Sequence, residues 1–344
     1  MEKNIVLVKN IEKIENNSEC KNHKGVLYSI LPQISEHSFD AIGHRVVHGG
    51  EYFKNSVIIT DEVISKIEEC VDLAPLHNPA NLAVIAACKE IFPASKQIAV
   101  FDTAFHQTME PAHYLYPLPS EYYETHKIRR YGFHGISHQY VYEKLLADYK
   151  APHAKIITCH IGNASVAAIK DGKVVETSMG MTPLELMMGT RSGNIDPAIV
   201  TYLMKHEVLS VDQIDELLNE QSLLGVSISN DMRDIISIEQ NQKCSLALDM
   251  YINSLVKYIG AYVALLGIDV LVLTAGIMEH RTIVRTRLLE RLSWLIVIDI
   301  QANEDTTSLE KMVSTKNSNV AVFVIPTNEE LMIAKETFGL MNNE

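Results

Sequence analysis

Residues 160–172, HIGNASVAAIKDG, decide the fold. Ile156 to Cys159, just ahead, are apolar and β-branched enough for a short buried strand. His160 to Ala164 is a polar turn, Ser165 to Ile169 is a second strand, and Asp171-Gly172 is the dipeptide that closes a tight hairpin. A strand that ends in such a turn and then pairs back on itself is either a plain corner or a cradle for phosphate. The rest of the chain has to choose between them.

Working outward, Val270 to Thr274 is a buried strand running into Ala275-Gly276, and Val320 to Ile325 is the last strand. Helical periodicity marks Ala198 to Lys205, Val211 to Asn219, Ser245 to Leu266 and Glu329 to Leu340. Upstream, Asn4 to Val8, Ala41 to Val47 and Gln97 to Val100 read as strands. Thr60 to Asp72 places Val63, Ile64, Ile67 and Val71 on one helical face, and Asn81 to Ile91 is a helix begun after Pro79. Strands followed by helices, twice over, predict a two-domain α/β chain with a break near Asp102.

The 344 residues exceed what one core ordinarily serves, which agrees with two domains. A formal net charge of −13 argues against a general nucleic-acid or anionic-membrane binder, since such surfaces need a basic stripe. The apolar run Ile5 to Val8 is too short for a signal-peptide core, and Ala261 to Ala275, interrupted by Asp269, is too short to span a bilayer. The cysteines Cys20, Cys70, Cys88, Cys159 and Cys244 are scattered and never form a C-x-x-C pair, a pattern suited to free thiols in a reducing cytoplasm.

Several segments could carry chemistry. Arg45 lies in an apolar strand that ends in Gly49-Gly50, and a buried guanidinium there would need an anion or a carboxylate partner. Asp102 follows a buried strand, the usual place for catalytic groups in open α/β sheets, although a helix N-cap would look the same. Residues 129–138, RRYGFHGISH, interleave cations and imidazoles with aromatics and glycines, which suits a pocket for an anion with an apolar portion. Arg191 stands between Gly189 and Gly193, and its planar fork of donors matches a phosphoryl group. Residues 274–279, TAGIME, form a strand-to-loop junction over which a flat ring could lie. Glu329 and Glu330 open a helix and serve equally as capping charges or as a metal-facing carboxylate.

Taken in order, GHRVVHGGE at 43–51, APLHNPANL at 74–82, VFDTAFHQTM at 100–109, RRYGFHGISH at 129–138, TPLELMMGTRSGNIDPA at 182–198 and IPTNEELMIA at 325–334 resemble the acetate kinases. The resemblance runs from about Ala41 to Thr337; propionate kinases share much of it and butyrate kinases less. It implies an α/β fold of two similar domains of the actin/Hsp70/sugar-kinase type, ribonuclease H-like, with a cleft between them. The expected division is 1–102 plus 331–344 as an acyl-kinase domain and 103–330 as a nucleotide-binding domain. The implied reaction is reversible, Mg²⁺-dependent phosphoryl transfer from ATP to acetate, giving acetyl phosphate and ADP. A cytoplasmic homodimer that binds neither nucleic acid nor membrane goes with it.

The resemblance also assigns roles. Arg45 and Arg191 would flank acetate and the planar phosphoryl group in flight, and Asp102 would be the active-site acid. His134 would donate to the transferring group, with His77 in support, and Glu329 would hold Mg²⁺. His160, Ile161, Gly162, Asn163 and Ala164 match the second phosphate loop. Asp231, Met232 and Arg233, with Gly276, Ile277, Met278, Glu279 and His280, match the segments that contact adenosine and ribose.

The chain departs from the family pattern at the phosphate-gripping backbone. The family follows its first strand with an Asn-x-Gly-Ser-Ser-Ser-like loop and a lysine; here 9–17 reads KNIEKIENN, without glycine or serine. The family's His-x-Gly-Asn-Gly is here His160-Ile161-Gly162-Asn163-Ala164, one residue short, and its Gly-Ile-Gly-Glu-Asn is here Gly276-Ile277-Met278-Glu279-His280, so that Met278 and His280 are expected to crowd the adenine side. An acetate kinase is the first reading. A catalytically impaired or non-catalytic homologue, and a propionate-preferring acyl kinase, stand beside it.

Overall fold

The computed structural model describes residues 23–34, 38–149, 153–221, 226–229, 231–238 and 240–342. The expected first strand at 4–8 and the loop at 9–17 lie outside them. The chain divides into two compact units, 1–101 with 333–344, and 102–332.

In the first unit, β1 (Ala41–Val46) and β3 (Lys96–Phe101) pair in parallel, and β2 (Val57–Ile58) adds antiparallel to β3. The crossover runs through α2 (Asp61–Glu69) and α3 (Asn78–Ile91), and α1 (His23–Ile34) packs on α3. The Thr60 hydroxyl caps α2 by accepting from Val63 N at 3.3 Å. This helix stops at Glu69, short of the expected Asp72, because the chain tightens into a 3-10 turn at Val71–Leu73. Conversely, α3 begins three residues earlier than expected, since Pro79 occupies the first turn, where its missing N–H costs nothing.

The second unit is built on a six-stranded sheet. Its strands are β4 (Lys155–His160), β5 (Ser165–Lys170), β6 (Lys173–Thr177), β7 (Val270–Thr274), β8 (Lys311–Met312) and β9 (Ala321–Val324), in the order β6-β5-β4-β7-β9-β8. The first three form an antiparallel meander, and β7 and β9 run parallel to β4. That is the ribonuclease H-like arrangement the resemblance implies. Asp171 and Gly172 both take positive φ, +49° and +77°, the type I′ geometry expected of the Asp-Gly hairpin. All five residues of β7 are buried, so this strand forms the middle of the core.

The helices of this unit are α4 (Pro111–Tyr114), α5 (Ser120–His126), α6 (Gly135–Tyr149), α7 (Pro197–His206), α8 (Val211–Glu220), α9 (Met232–Ser237), α10 (Gln242–Leu266), α11 (Gly276–His280), α12 (Thr282–Arg291) and α13 (Ile300–Glu304). α10 starts at Gln242 because the Asn241 side chain accepts from Lys243 N at 2.9 Å. α6 packs on β4. The last helix, α14 (Glu329–Asn342), begins in the second unit and ends in the first. Among the described residues no helix is long and apolar enough to cross a membrane.

Candidate functional site

In the first unit, the end of β1 is held by two asparagines that sequence reasoning passed over. Asn78 accepts from His48 N at 3.1 Å and donates to His48 O at 3.0 Å, while Asn81 accepts from Val47 N at 3.1 Å. Asn78 is fully buried, so its amide is committed to shaping this strand end. His77, exposed, sits at the N-cap of α3 immediately before it. Arg45 is not the buried guanidinium expected: it is exposed between buried His44 and Val46, because successive side chains on a strand point to opposite faces. Gly50 takes φ +58°, and a Cβ on Gly49 would meet Phe101 Cδ1 at 2.9 Å, which accounts for the paired glycines.

In the second unit, Asp102 is almost fully buried and its carbonyl accepts from Gly135 N at 2.8 Å. A Cβ on Gly135 would stand 2.2 Å from that oxygen, so only glycine lets the start of α6 approach this backbone. His134, one residue earlier, is held at φ +56°, a strained conformation for a residue with a Cβ. Its ring stacks on His160 with centroids 4.3 Å apart and 20° between planes.

A polar network fixes these two rings. His134 Nδ1 lies 2.9 Å from Ser165 Oγ, which is also 2.8 Å from His138 Nε2; His138 Nδ1 is 2.7 Å from Thr158 Oγ1. His160 Nδ1 is 2.7 Å from Ser137 Oγ, which in turn pairs with Thr327 Oγ1 at 2.7 Å. The β4–β5 register sets His160 opposite Ser165 and Thr158 opposite Ala167, and the first turn of α6 brings Ser137 and His138 onto them. Burial keeps His138 neutral, well below the usual imidazole range, and pushes His106 down to about 4.

Arg191 is carried by a loop closed on itself. Asn194 N donates to Glu185 O at 3.0 Å, Met188 N donates to Arg191 O at 3.0 Å, and Gly193 takes φ +71° where a Cβ would meet Met187 N at 2.5 Å. The Glu185 carboxylate binds Arg130 Nη1 at 2.6 Å and the Tyr116 hydroxyl at 2.9 Å, which anchors the loop to the body of the unit. The Arg191 guanidinium is half-buried, donates to Pro183 O at 3.3 Å, and is lowered from its ordinary value by burial.

A cavity of about 480 Å³ opens beside this loop, lined by Gly162, Asn163, Met188, Gly189, Thr190, Asp231, Met232, Arg233, Gly276, Ile277, His280 and Arg281. Most of the residues expected at a nucleotide therefore line one cavity, although their roles differ from expectation. Asp231 caps α9 and holds the Arg233 side chain through both carboxylate oxygens, and this pairing lowers its pKa. Met278 does not crowd the cavity: it is fully buried in the core, and its carbonyl takes the guanidinium of buried Arg285 at 2.6 Å. Ile161 and Ala164 are likewise buried beneath the loop rather than presented to the cavity. Glu279 is committed internally, accepting from Ala275 N at 2.7 Å and Thr327 N at 3.1 Å.

Glu329, half-buried, opens α14 two residues beyond Thr327, and Asn328 caps that helix by accepting from Leu331 N at 2.8 Å. Among the described residues no three or more His, Cys, Asp or Glu side chains gather as a metal site. A single carboxylate such as Glu329 suits a small octahedral cation like Mg²⁺, whose other ligands would be waters and phosphate oxygens.

Residues 1–335 match the model of the acetokinase family. The chain belongs to the acetokinase family. It is 49% identical over 350 residues to an acetate kinase of Thermoanaerobacter pseudethanolicus, covering 96% of this chain and 87% of that protein. Among solved structures, the acetate kinase of Porphyromonas gingivalis superposes with TM-score 0.89 at 44% identity, covering 94% of this chain and 86% of that one. A propionate kinase from Francisella tularensis superposes with TM-score 0.87 at 42% identity, covering 92% and 84%. As a kinase of this family, the protein is a phosphotransferase of the two-domain actin and sugar-kinase fold.

Proposed function

We propose that this protein is an acetate kinase, transferring the γ-phosphoryl group of Mg-ATP to acetate and, in reverse, that of acetyl phosphate to Mg-ADP. The observation that carries the reading is one cavity lined both by Gly162 and Asn163 of the turn after β4 and by Gly276 and Ile277 at the start of α11, with Thr190, next to Arg191, on its wall. The turn that opened the sequence reading is, on this proposal, a phosphate cradle rather than a corner.

In this reading the carboxylate of acetate is already ionised at neutral pH and attacks phosphorus directly, so no base is needed to remove a proton. The bond between phosphorus and the β-bridging oxygen breaks as the new P–O bond forms. Arg191 offers its planar donors to the phosphoryl oxygens during transfer, and Arg45 supplies a second guanidinium. His134 donates through Nε2, His77 supports it, and Asp102 orients the site. Glu329 would hold the Mg²⁺ that comes with the nucleotide, which neutralises phosphate charge when bound. The same reading carries a cytoplasmic homodimer. Propionate is the competing acyl acceptor, since an acetate kinase and a propionate kinase superpose almost equally well.

The test is single-turnover transfer from labelled Mg-ATP, trapping the acyl phosphate as a hydroxamate, with acetate and propionate in parallel. Acetyl hydroxamate in excess at equal concentrations supports the proposal. Preference for propionate moves the assignment to the neighbouring kinase, and no product from folded protein makes it a non-catalytic homologue.

A further inference from the structure

A neutral imidazole carries one ring proton, so His134 can donate from Nε2 only if that proton is kept off Nδ1. We propose that Thr158, His138 and Ser165 form a one-way hydrogen-bond relay that holds neutral His134 as its Nε2–H tautomer, which makes these three positioning residues. The inference deepens the acetate kinase reading and depends on it only for what His134 donates to.

The direction follows from counting donors. Thr158 Oγ1 has two acceptors in reach, His138 Nδ1 at 2.7 Å and Ala167 O at 3.5 Å, and a buried hydroxyl spends its one proton on the nearer. His138 then accepts at Nδ1, so its own proton sits on Nε2 and goes to Ser165 Oγ at 2.8 Å. Ser165, having accepted there, donates its hydroxyl proton to His134 Nδ1 at 2.9 Å. That leaves the His134 proton on Nε2. Reversing the Thr158 or the His138–Ser165 link reverses the whole relay and leaves Thr158 donating only across 3.5 Å, and reversing the His134 link alone leaves Ser165 accepting from both rings with its own buried proton unplaced among the described residues.

The surroundings keep the relay dry and neutral. Thr158, Ser165 and His138 are wholly buried, so water does not substitute for a link. The titratable groups packed about His134 include His160 of β4, stacked at 4.3 Å, and His138 in the first turn of α6, with His106 at 5.6 Å from the His138 ring. Asp102 adjoins through its carbonyl on Gly135. A second hydroxyl bridge, Ser137 to Thr327, meets the Nδ1 of His160, so each stacked ring is gripped at the same nitrogen.

The test is ¹⁵N NMR of the histidine-labelled full chain, whose ring nitrogens report directly which one bears hydrogen; His134→Gln assigns the signals. The expected result is Nε2 protonated and Nδ1 bare in the parent at neutral pH. In Ser165→Ala, His134 is expected to take up its second proton at higher pH than in the parent, with Ser165→Thr restoring parental behaviour, because a hydroxyl donating into Nδ1 favours the neutral ring. Turnover should fall at least tenfold in Ser165→Ala, with KM for ATP and acetate changed less than threefold, and recover in Ser165→Thr. A proton on Nδ1 of His134 in the parent overturns the proposal whatever Ser165→Ala does, and so does an unaltered titration in Ser165→Ala. A parent with the expected tautomer but no phosphoryl transfer refutes the acetate kinase reading and leaves the relay standing.

Discussion

Glu185 Oε2 lies 2.6 Å from Arg130 Nη1, and through this pair the loop bearing Arg191 is tied to the segment that leads into α6. Burial pulls the Arg130 guanidinium down, but the charge of Glu185 holds it above its ordinary value. Glu185→Gln keeps the shape and removes the charge, leaving the guanidinium, among the described residues, with Glu176 as its remaining charged partner, at 3.2 Å. The side chains are only partly buried, so the expected loss is about 2 kcal/mol rather than the larger cost of a fully buried pair. Urea unfolding measures it. A tenfold or greater fall in turnover should accompany it, and wild-type turnover would show that the loop is held without Glu185.

Arg191→Ala should lower turnover by roughly 10³-fold or more, as removal of a guanidinium from a phosphoryl-transfer site does. The hydroxamate assay under saturating Mg-ATP reads this directly. A mutant retaining a tenth of the parental rate would exclude Arg191 from contact with the phosphoryl group.

Stability should fall in mild acid. His106, pushed by burial from 6.5 down to about 4, and His138, also lowered by burial, are neutral in the folded chain, whereas the unfolded chain binds their protons below pH 6.5. The folded state therefore loses stability as pH drops from about 6.5 toward 4, and is unaffected by these groups above 6.5. For His106 alone the full loss is about 3 kcal/mol. Denaturant midpoints at pH 7.5, 5.5 and 4.5 should decline in that order, and His106→Gln should flatten the decline. Equal slopes in parent and variant would contradict this account.

Ala275, with φ +66° and ψ 167°, stands in a region that glycine occupies almost alone. It is kept there by Ala275 N on Glu279 and by the crossed bonds Ile161 N to Thr274 O and Ile277 N to Ile161 O. Ala275→Gly should release strain of about 2 kcal/mol and give back about 1 kcal/mol to the greater freedom of the unfolded glycine, a net gain near 1 kcal/mol. Thermal and urea unfolding check it; a destabilised variant would mean that the Cβ contributes packing larger than the strain.

Local signals carried much of the architecture. Val270–Thr274 spans the expected residues, the Asp171-Gly172 turn has the expected geometry, and α7, α8 and α14 end within two residues of their sequence limits. Side-chain environment is less legible. Apolar neighbours suggest burial for Arg45, yet strand alternation exposes it. Interruption of a glycine motif suggests the adenine side for Met278, yet the turn of α11 carries it into the core.

The sequence by itself determined the main strands of the second unit, several of its helices and the family, because hydrophobic period, turn dipeptides and contiguous motifs are local properties of the chain. It named His134, His160 and Arg191 without showing what holds them. Only the tertiary structure decided that, since Ser137 meets Thr327 across 190 positions, His138 meets Thr158 across 20, and Glu185 meets Tyr116 across 69. Such partners are ordinary serines, threonines and glutamates in sequence. They become part of a site when sheet register and helix packing enclose them away from water, where each buried donor must find its acceptor.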